Sequence, residues 1–150
     1  LLNPKSRGSI QISGPSIEDP LLIDPNFFDH EDDIEDMVNA YKVTQKLMHS
    51  PALKMLHRKD LFCELVKTDD EIRHILRQRS DTVYHPVGSC KMGVDDMAVV
   101  DPQLCVYGIE NLRVVDASIM PNVVNGNTNA PTIMIAEKAV DMIRAKQLHA

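Results

Sequence analysis

The chain has 150 residues, of which 43% are apolar, and its 22 acidic and 16 basic residues give a formal charge of -6. This length carries a hydrophobic core, and this composition is globular rather than disordered. The acidic balance excludes the basic footprint of a nucleic-acid binder, and no apolar run reaches membrane-spanning length.

Cys63, Cys90 and Cys105 are an odd set without C-x-x-C spacing, which points to a reducing compartment rather than a disulfide framework or zinc site. The opening LLNPKSRGSI lacks an apolar h-region, so no signal peptide is expected and a cytoplasmic location is. The first residue is Leu1 rather than Met, and the chain reads as one domain belonging to a longer polypeptide.

Gly8 to Ser13 alternates, with Ile10 and Ile12 on one face, and is predicted to be a strand closed by Ser13-Gly14-Pro15. Residues 14 to 27, punctuated by Pro15, Pro20 and Pro25, are predicted to form an extended connection. Asp29 is the predicted N-cap of a long helix, with Glu31, Asp32 and Asp33 as a solvated acidic first turn. Ile34, Met37, Val38, Tyr41 and Met48 carry its apolar face to about Ser50. Pro51 then opens a short helix through Leu56.

Thr68-x-x-Glu71 is a capping box. It starts a helix with Ile72, Ile75 and Leu76 on one side and Arg77 and Arg79 near its negative pole. TVYHPVGSCKMG, residues 82 to 93, reads as a strand running into a Pro/Gly-broken loop. Leu104 to Tyr107 and Leu112 to Val115 read as short strands joined by a Gly108 to Asn111 turn.

Asp116-Ala117-Ser118 ends the second of these. A loop from Asn122 to Asn129 follows, with four asparagines and one glycine. Pro131 is the predicted first residue of a mostly buried helix. Ile133, Ala136, Val140 and Ile143 form its apolar stripe, widened by Ile135, Ala139 and Met142. The N-terminus of such a helix offers free N–H groups and partial positive charge to an anion or polarised carbonyl, although asparagine and glycine also simply make turns. The fold class is α+β.

His85 is the best candidate for acid–base chemistry, because it alone among the histidines lies in a Pro/Gly-bounded loop. Imidazole titrates near neutral pH and can accept a proton from an alcohol; the competing role is a backbone-bonded structural histidine. His30, His49, His57, His74 and His149 lie on predicted helices or at ends, and none pairs with another at metal-ligand spacing with a third ligand. No metal site is therefore expected. Gly88 to Gly93 lacks the Lys-Ser/Thr of a phosphate loop, and Cys90 reads as a packed thiol. Neither G-x-S-x-G nor G-x-G-x-x-G occurs.

Several stretches, taken together, resemble the C-terminal part of the glucose–methanol–choline family of FAD-dependent oxidoreductases. They are NPKSRGSI at 3 to 10, IDPNFF at 23 to 28, TVYHPVGSCKMG, LRVVDASIMP and NGNTNAPTIMIAEKA, and they occur in the family's order. Within the family the likeness is to its choline dehydrogenase and acceptor-dependent alcohol dehydrogenase branches. It implies an antiparallel sheet covered by helices. It also implies a C-terminal strand–loop–helix that packs on a Rossmann-type FAD domain of the same parent chain.

The resemblance places the catalytic histidine on His85 and the second active-site residue on Asn127. It puts Asp116 and Ala117 beside the ribityl–pyrophosphate region of FAD. Asn127, Thr128, Asn129 and Pro131 fall near the flavin ring. The implied reaction oxidises a primary alcohol to an aldehyde by hydride transfer to flavin, with quinone or oxygen as electron acceptor. A quinone acceptor would add a peripheral membrane association. The absence of G-x-G-x-x-G from this stretch keeps open a second reading, a non-catalytic fragment or interaction module that retains the fold without FAD. Such a fragment would expose apolar surface and self-associate.

Overall fold

The computed structural model describes residues 1 to 61 and 66 to 148, with side chains described through residue 145. Cys63 and His149 lie outside the described residues. The chain divides into two compact units, one comprising Asn3 to Thr82 and the other running from Val83 onward.

In the first unit, β1 (Ser9–Gln11) pairs antiparallel with β2 (Leu22–Asp24), with Ile10 opposite Ile23. The first strand was expected. The second falls inside the predicted extended connection, and it escapes the alternation test because both strands are short and exposed on each face. The first long helix, α1, spans Glu31–Met48. Its N-cap is His30 rather than Asp29: the His30 ring nitrogen Nδ1 accepts from the Asp32 N–H. Helix α2 is the short Pro51–Lys54, ending before the expected Leu56.

Helix α3 (Asp69–Arg79) starts at the predicted capping box, with both reciprocal bonds between Thr68 and Glu71 present. It packs on α1 and contributes the buried Ile72, while α1 contributes Ile34 and Val38. Arg73 clamps the two helices with a forked pair, Nε to Glu35 Oε1 at 2.6 Å and an Nη to Oε2 at 3.0 Å.

The acidic first turn of α1 is not uniformly solvated, because Asp33 is only 2% exposed. Its carboxylate accepts the backbone N–H groups of Lys5 and Ser6, each at 2.8 Å, and the Ser6 hydroxyl at 2.5 Å. Burial pushes this carboxyl up, but the Lys5 and Ser6 donors outweigh it and hold it below the usual carboxylate range. Asp33 therefore ties the N-terminal segment to α1.

The second unit is held by a cluster of Val100, Leu104, Ile119, Met120, Ile135 and Ala139. Burying one Ile-sized side chain stabilises by roughly 1.5–3 kcal/mol. The predicted strands around residues 104 to 115 appear only as single-residue bridges, among them Cys105 opposite Arg113. Leu104, at φ 67°, breaks the extended conformation that a longer ladder needs. The expected turn is present, with Gly108 and Asn111 both left-handed and the Val106 N–H bonded to the Leu112 carbonyl at 3.0 Å.

Helix α4 (Asn129–Leu148) begins two residues before the expected Pro131. Its buried stripe is Ile135 and Ala139, with Met142 packed against the same cluster. The stripe predicted to be central faces solvent instead: Ile133 is 56% exposed and Val140 42%. Both sides of α4 are apolar, so periodicity alone does not say which one this unit covers. Among the described residues, no helix is long and apolar enough to cross a membrane.

Candidate functional site

The site in the second unit grows from the His85 loop. No strand forms over residues 82 to 85, contrary to expectation. The Asp81 carboxylate accepts the Thr82 N–H, and Tyr84 adopts φ 61°, which turns the chain away from an extended path. Beyond His85 the loop is pinned. Val87 packs on the core cluster, and the Cys90 and Met92 N–H groups donate to the carbonyls of Ser118 and Ile119 at 3.1 and 2.8 Å.

Gly88 sits at φ 86°, and a Cβ there would meet the Met120 carbonyl oxygen at 3.3 Å. The left-handed φ favours glycine, and a Cβ there would press on that carbonyl. Cys90 is a half-buried free thiol, as the packed reading anticipates. Lys91, inside the Gly88 to Gly93 run, is taken up by Asp95 at 2.8 Å.

The second wall is the segment that the Cys90 and Met92 bonds hold. Asp116 is exposed and caps the single 3-10 turn Ala117–Ile119, its Oδ1 accepting the Ser118 N–H at 2.7 Å. Ala117 and Ile119 face the core. The sequence reading put Asp116 and Ala117 beside a cofactor; what the structure shows of them is local work in holding this turn.

The third wall is the start of α4. The Thr128 carbonyl accepts the first helical N–H, from Thr132, at 3.0 Å and the Thr132 hydroxyl at 2.7 Å. The N–H groups of Asn129 and Ala130 thus precede the intrahelical ladder, and Pro131 has none to satisfy. The macrodipole adds partial positive charge at the same place.

The His85 loop and the start of α4 meet at one contact, between His85 Nδ1 and Thr128 Oγ1 at 3.1 Å. Both residues are half-buried, whereas Asn127, Asn129 and the loop tip at Asn125 and Gly126 are exposed. The sequence reading assigned Thr128 to the flavin side alone, and nothing local in the sequence marks it as the partner of His85. Asn127 is the covalent neighbour of Thr128, so its backbone adjoins the residue that touches the imidazole.

One edge of the site thus has a half-buried imidazole held through one nitrogen, and another has unladdered N–H groups at a helix start. That donor set suits an electron-rich planar ring carrying negative charge, and a hydroxyl placed near the imidazole. A pyrophosphate cradle of glycine turns is absent from the described residues, so the arrangement fits one face of a flavin rather than a whole dinucleotide.

Residues 4–136 match the family model described as GMC oxidoreductase. The chain is 49% identical over 97% of its length to an alcohol dehydrogenase [acceptor] of Pseudomonas putida, and it covers 26% of that protein. It is 43% identical over 94% of its length to an oxygen-dependent choline dehydrogenase of Escherichia coli, of which it covers 25%. The chain therefore spans about a quarter of the length of these curated relatives. Among solved structures, pyridoxine 4-oxidase from Mesorbium loti superposes with a TM-score of 0.87 at 36% identity, over 99% of this chain and 28% of that one.

Proposed function

The chain belongs to the GMC oxidoreductase family, and from that premise we propose that it is the substrate-side catalytic part of an FAD-dependent dehydrogenase that oxidises a primary alcohol to an aldehyde. The observation that carries this reading is the contact between His85 Nδ1 and Thr128 Oγ1 at the N-terminus of α4. FAD, when bound, supplies the hydride acceptor.

The chain's own residues do the rest. In the tautomer with its proton on Nδ1, neutral His85 donates to Thr128 Oγ1 and keeps the Nε2 lone pair free. Nε2 then accepts the proton of the substrate hydroxyl, which raises electron density at the carbon that gives up hydride. Asn127 holds the substrate oxygen through its side-chain amide, a positioning effect that narrows the range of unproductive poses. The N–H groups of Asn129 and Ala130, with the dipole of α4, would stabilise negative charge on a bound flavin.

The exposed stripe of Ile133, Val140 and Ile143 is the surface on which the FAD-binding part of the same polypeptide packs. The two curated relatives named above favour an alcohol of the choline or simple alcohol class. The test is single-turnover flavin reduction by choline and by a simple primary alcohol in the full-length protein. Reduction by either supports the reading, whereas a flavin that stays oxidised with both removes it.

A further inference from the structure

The first unit contains a cluster that plays no part in the chemistry above. His49, the C-cap of α1, His57, three residues beyond α2, and Asp60 bring one ligand atom each to within 4.8 Å of one another. The spacing, H-x7-H-x2-D across a helix end, is not one that sequence reading recognises as a ligand set. Folding α2 back against the end of α1 creates it.

The geometry points to a zinc-class divalent metal site made by His49, His57 and Asp60. Two imidazoles and a carboxylate are the borderline donor set that suits zinc and cobalt rather than calcium or magnesium. His57 Nε2 and Asp60 Oδ1 already converge at 3.0 Å, and the two imidazole ring centroids lie 4.9 Å apart. Ligand atoms about 2.0–2.2 Å from a shared tetrahedral ion lie roughly 3.3–3.6 Å apart, so closing the set needs about an ångström of side-chain movement.

The groups around the three ligands support this reading independently. Metal-binding histidines commonly donate their other ring N–H to a carbonyl, which fixes tautomer and orientation. His49 Nδ1 lies 2.8 Å from the Gln45 carbonyl oxygen, which leaves its Nε2 as the lone-pair nitrogen. The Gln45 side-chain amide also reaches Asp60 Oδ2 at 3.4 Å, on the oxygen that does not face His57. Gln45 therefore orients two of the three ligands, and is itself steadied by the Tyr41 hydroxyl. Lys42, which lines the same hollow as His49 and Asp60, is paired with Asp69 at 2.7 Å and does not oppose an ion here.

His57 and Asp60 are largely covered, with side chains 16% and 24% exposed, while His49 is on the solvent side. A water completes the coordination from that side. The ion's role is structural: it fastens the end of α1 to the segment after α2, and binding to the folded state alone raises stability.

The test uses the full-length protein stripped with a chelator and titrated with Co2+, then with Zn2+. The expected result is one saturable equivalent of Co2+ with visible absorption of low-coordinate intensity, displaced by Zn2+, together with a rise in Tm. The size-matched variants His57→Gln and Asp60→Asn each weaken uptake at least tenfold. Gln45→Ala, which touches no ion, weakens it about tenfold, as loss of an outer-shell partner does, and His74→Ala leaves it unchanged. Far-UV circular dichroism of the metal-free variants verifies that the helices persist. No saturable uptake by the unmodified protein, or uptake that survives in a folded His57→Gln/Asp60→Asn double variant, overturns the proposal.

Discussion

His85 and Thr128 are 43 residues apart in the chain, yet His85 Nδ1 lies 3.1 Å from Thr128 Oγ1. A pinned loop delivers the imidazole, and the first turn of α4 delivers the hydroxyl. On the proposed reading, the contact gives Nδ1 the orienting task and leaves Nε2 for the chemistry.

On that reading Thr128 is a positioning residue. Thr128→Ala is expected to lower kcat about tenfold, comparable to one neutral hydrogen bond, while leaving KM within a few-fold. Thr128→Ser, which keeps the hydroxyl, is expected to restore most of the rate. Equal rates for the alanine variant and the unmodified enzyme would make the contact incidental.

Asp33 gives the first unit a pH-dependent anchor. Its folded-state pKa is depressed, so the stability it contributes is present above its unfolded value near 3.9. That contribution is lost as pH falls through the lower folded value. Asp33→Asn should destabilise this unit by about 1–3 kcal/mol at pH 7, because three donors lose a charged acceptor. It should also flatten the fall in Tm between pH 5 and 3. Asp32, Glu35 and Asp69 carry depressed carboxyls of their own, so a residual slope remains. An unchanged acid limb in Asp33→Asn would count against the anchor.

How much of this was legible in sequence depended on whether the determinant was local. The Thr68–Glu71 capping box involves four consecutive residues, and both of its reciprocal bonds formed. The three long helices were legible from apolar spacing. Asp33 was misread because a run of three acids looks solvated, and its partners at Lys5 and Ser6 are 28 and 27 residues away. For α4 both faces are apolar, so the Ile135–Ala139 stripe and the exposed Ile133–Val140 stripe have the same signature until the packing is known. His85 was singled out because its loop is marked by Pro86 and Gly88. Thr128's contact with it was not, since only the path of the whole second unit brings them together.

The exposed face of α4 makes a prediction about the 150-residue chain produced alone. It should purify without FAD, because the described residues offer one face of a flavin and no pyrophosphate cradle. It should also self-associate through Ile133, Val140 and Ile143. Val140→Asp with Ile143→Asp is expected to shift sedimentation toward monomer without loss of helical signal. A yellow preparation with a bound flavin spectrum, or a monomer before substitution, would contradict this.

Gly88 carries a backbone prediction. At φ 86°, with the Met120 carbonyl 3.3 Å from a would-be Cβ, Gly88→Ala should cost about 1–2 kcal/mol. Because the strain falls three residues from His85, turnover should drop along with Tm. A variant as stable and active as the unmodified protein would show that the loop tolerates another path.

The central claim is that His85 takes the proton of the substrate hydroxyl. The most direct measurement is the rate of flavin reduction by an alcohol substrate in full-length His85→Ala, compared at equal FAD occupancy and with helical content verified. A loss of about 10² or more is predicted, as for removal of a general base. A near-normal rate in the folded, FAD-loaded variant would contradict the account.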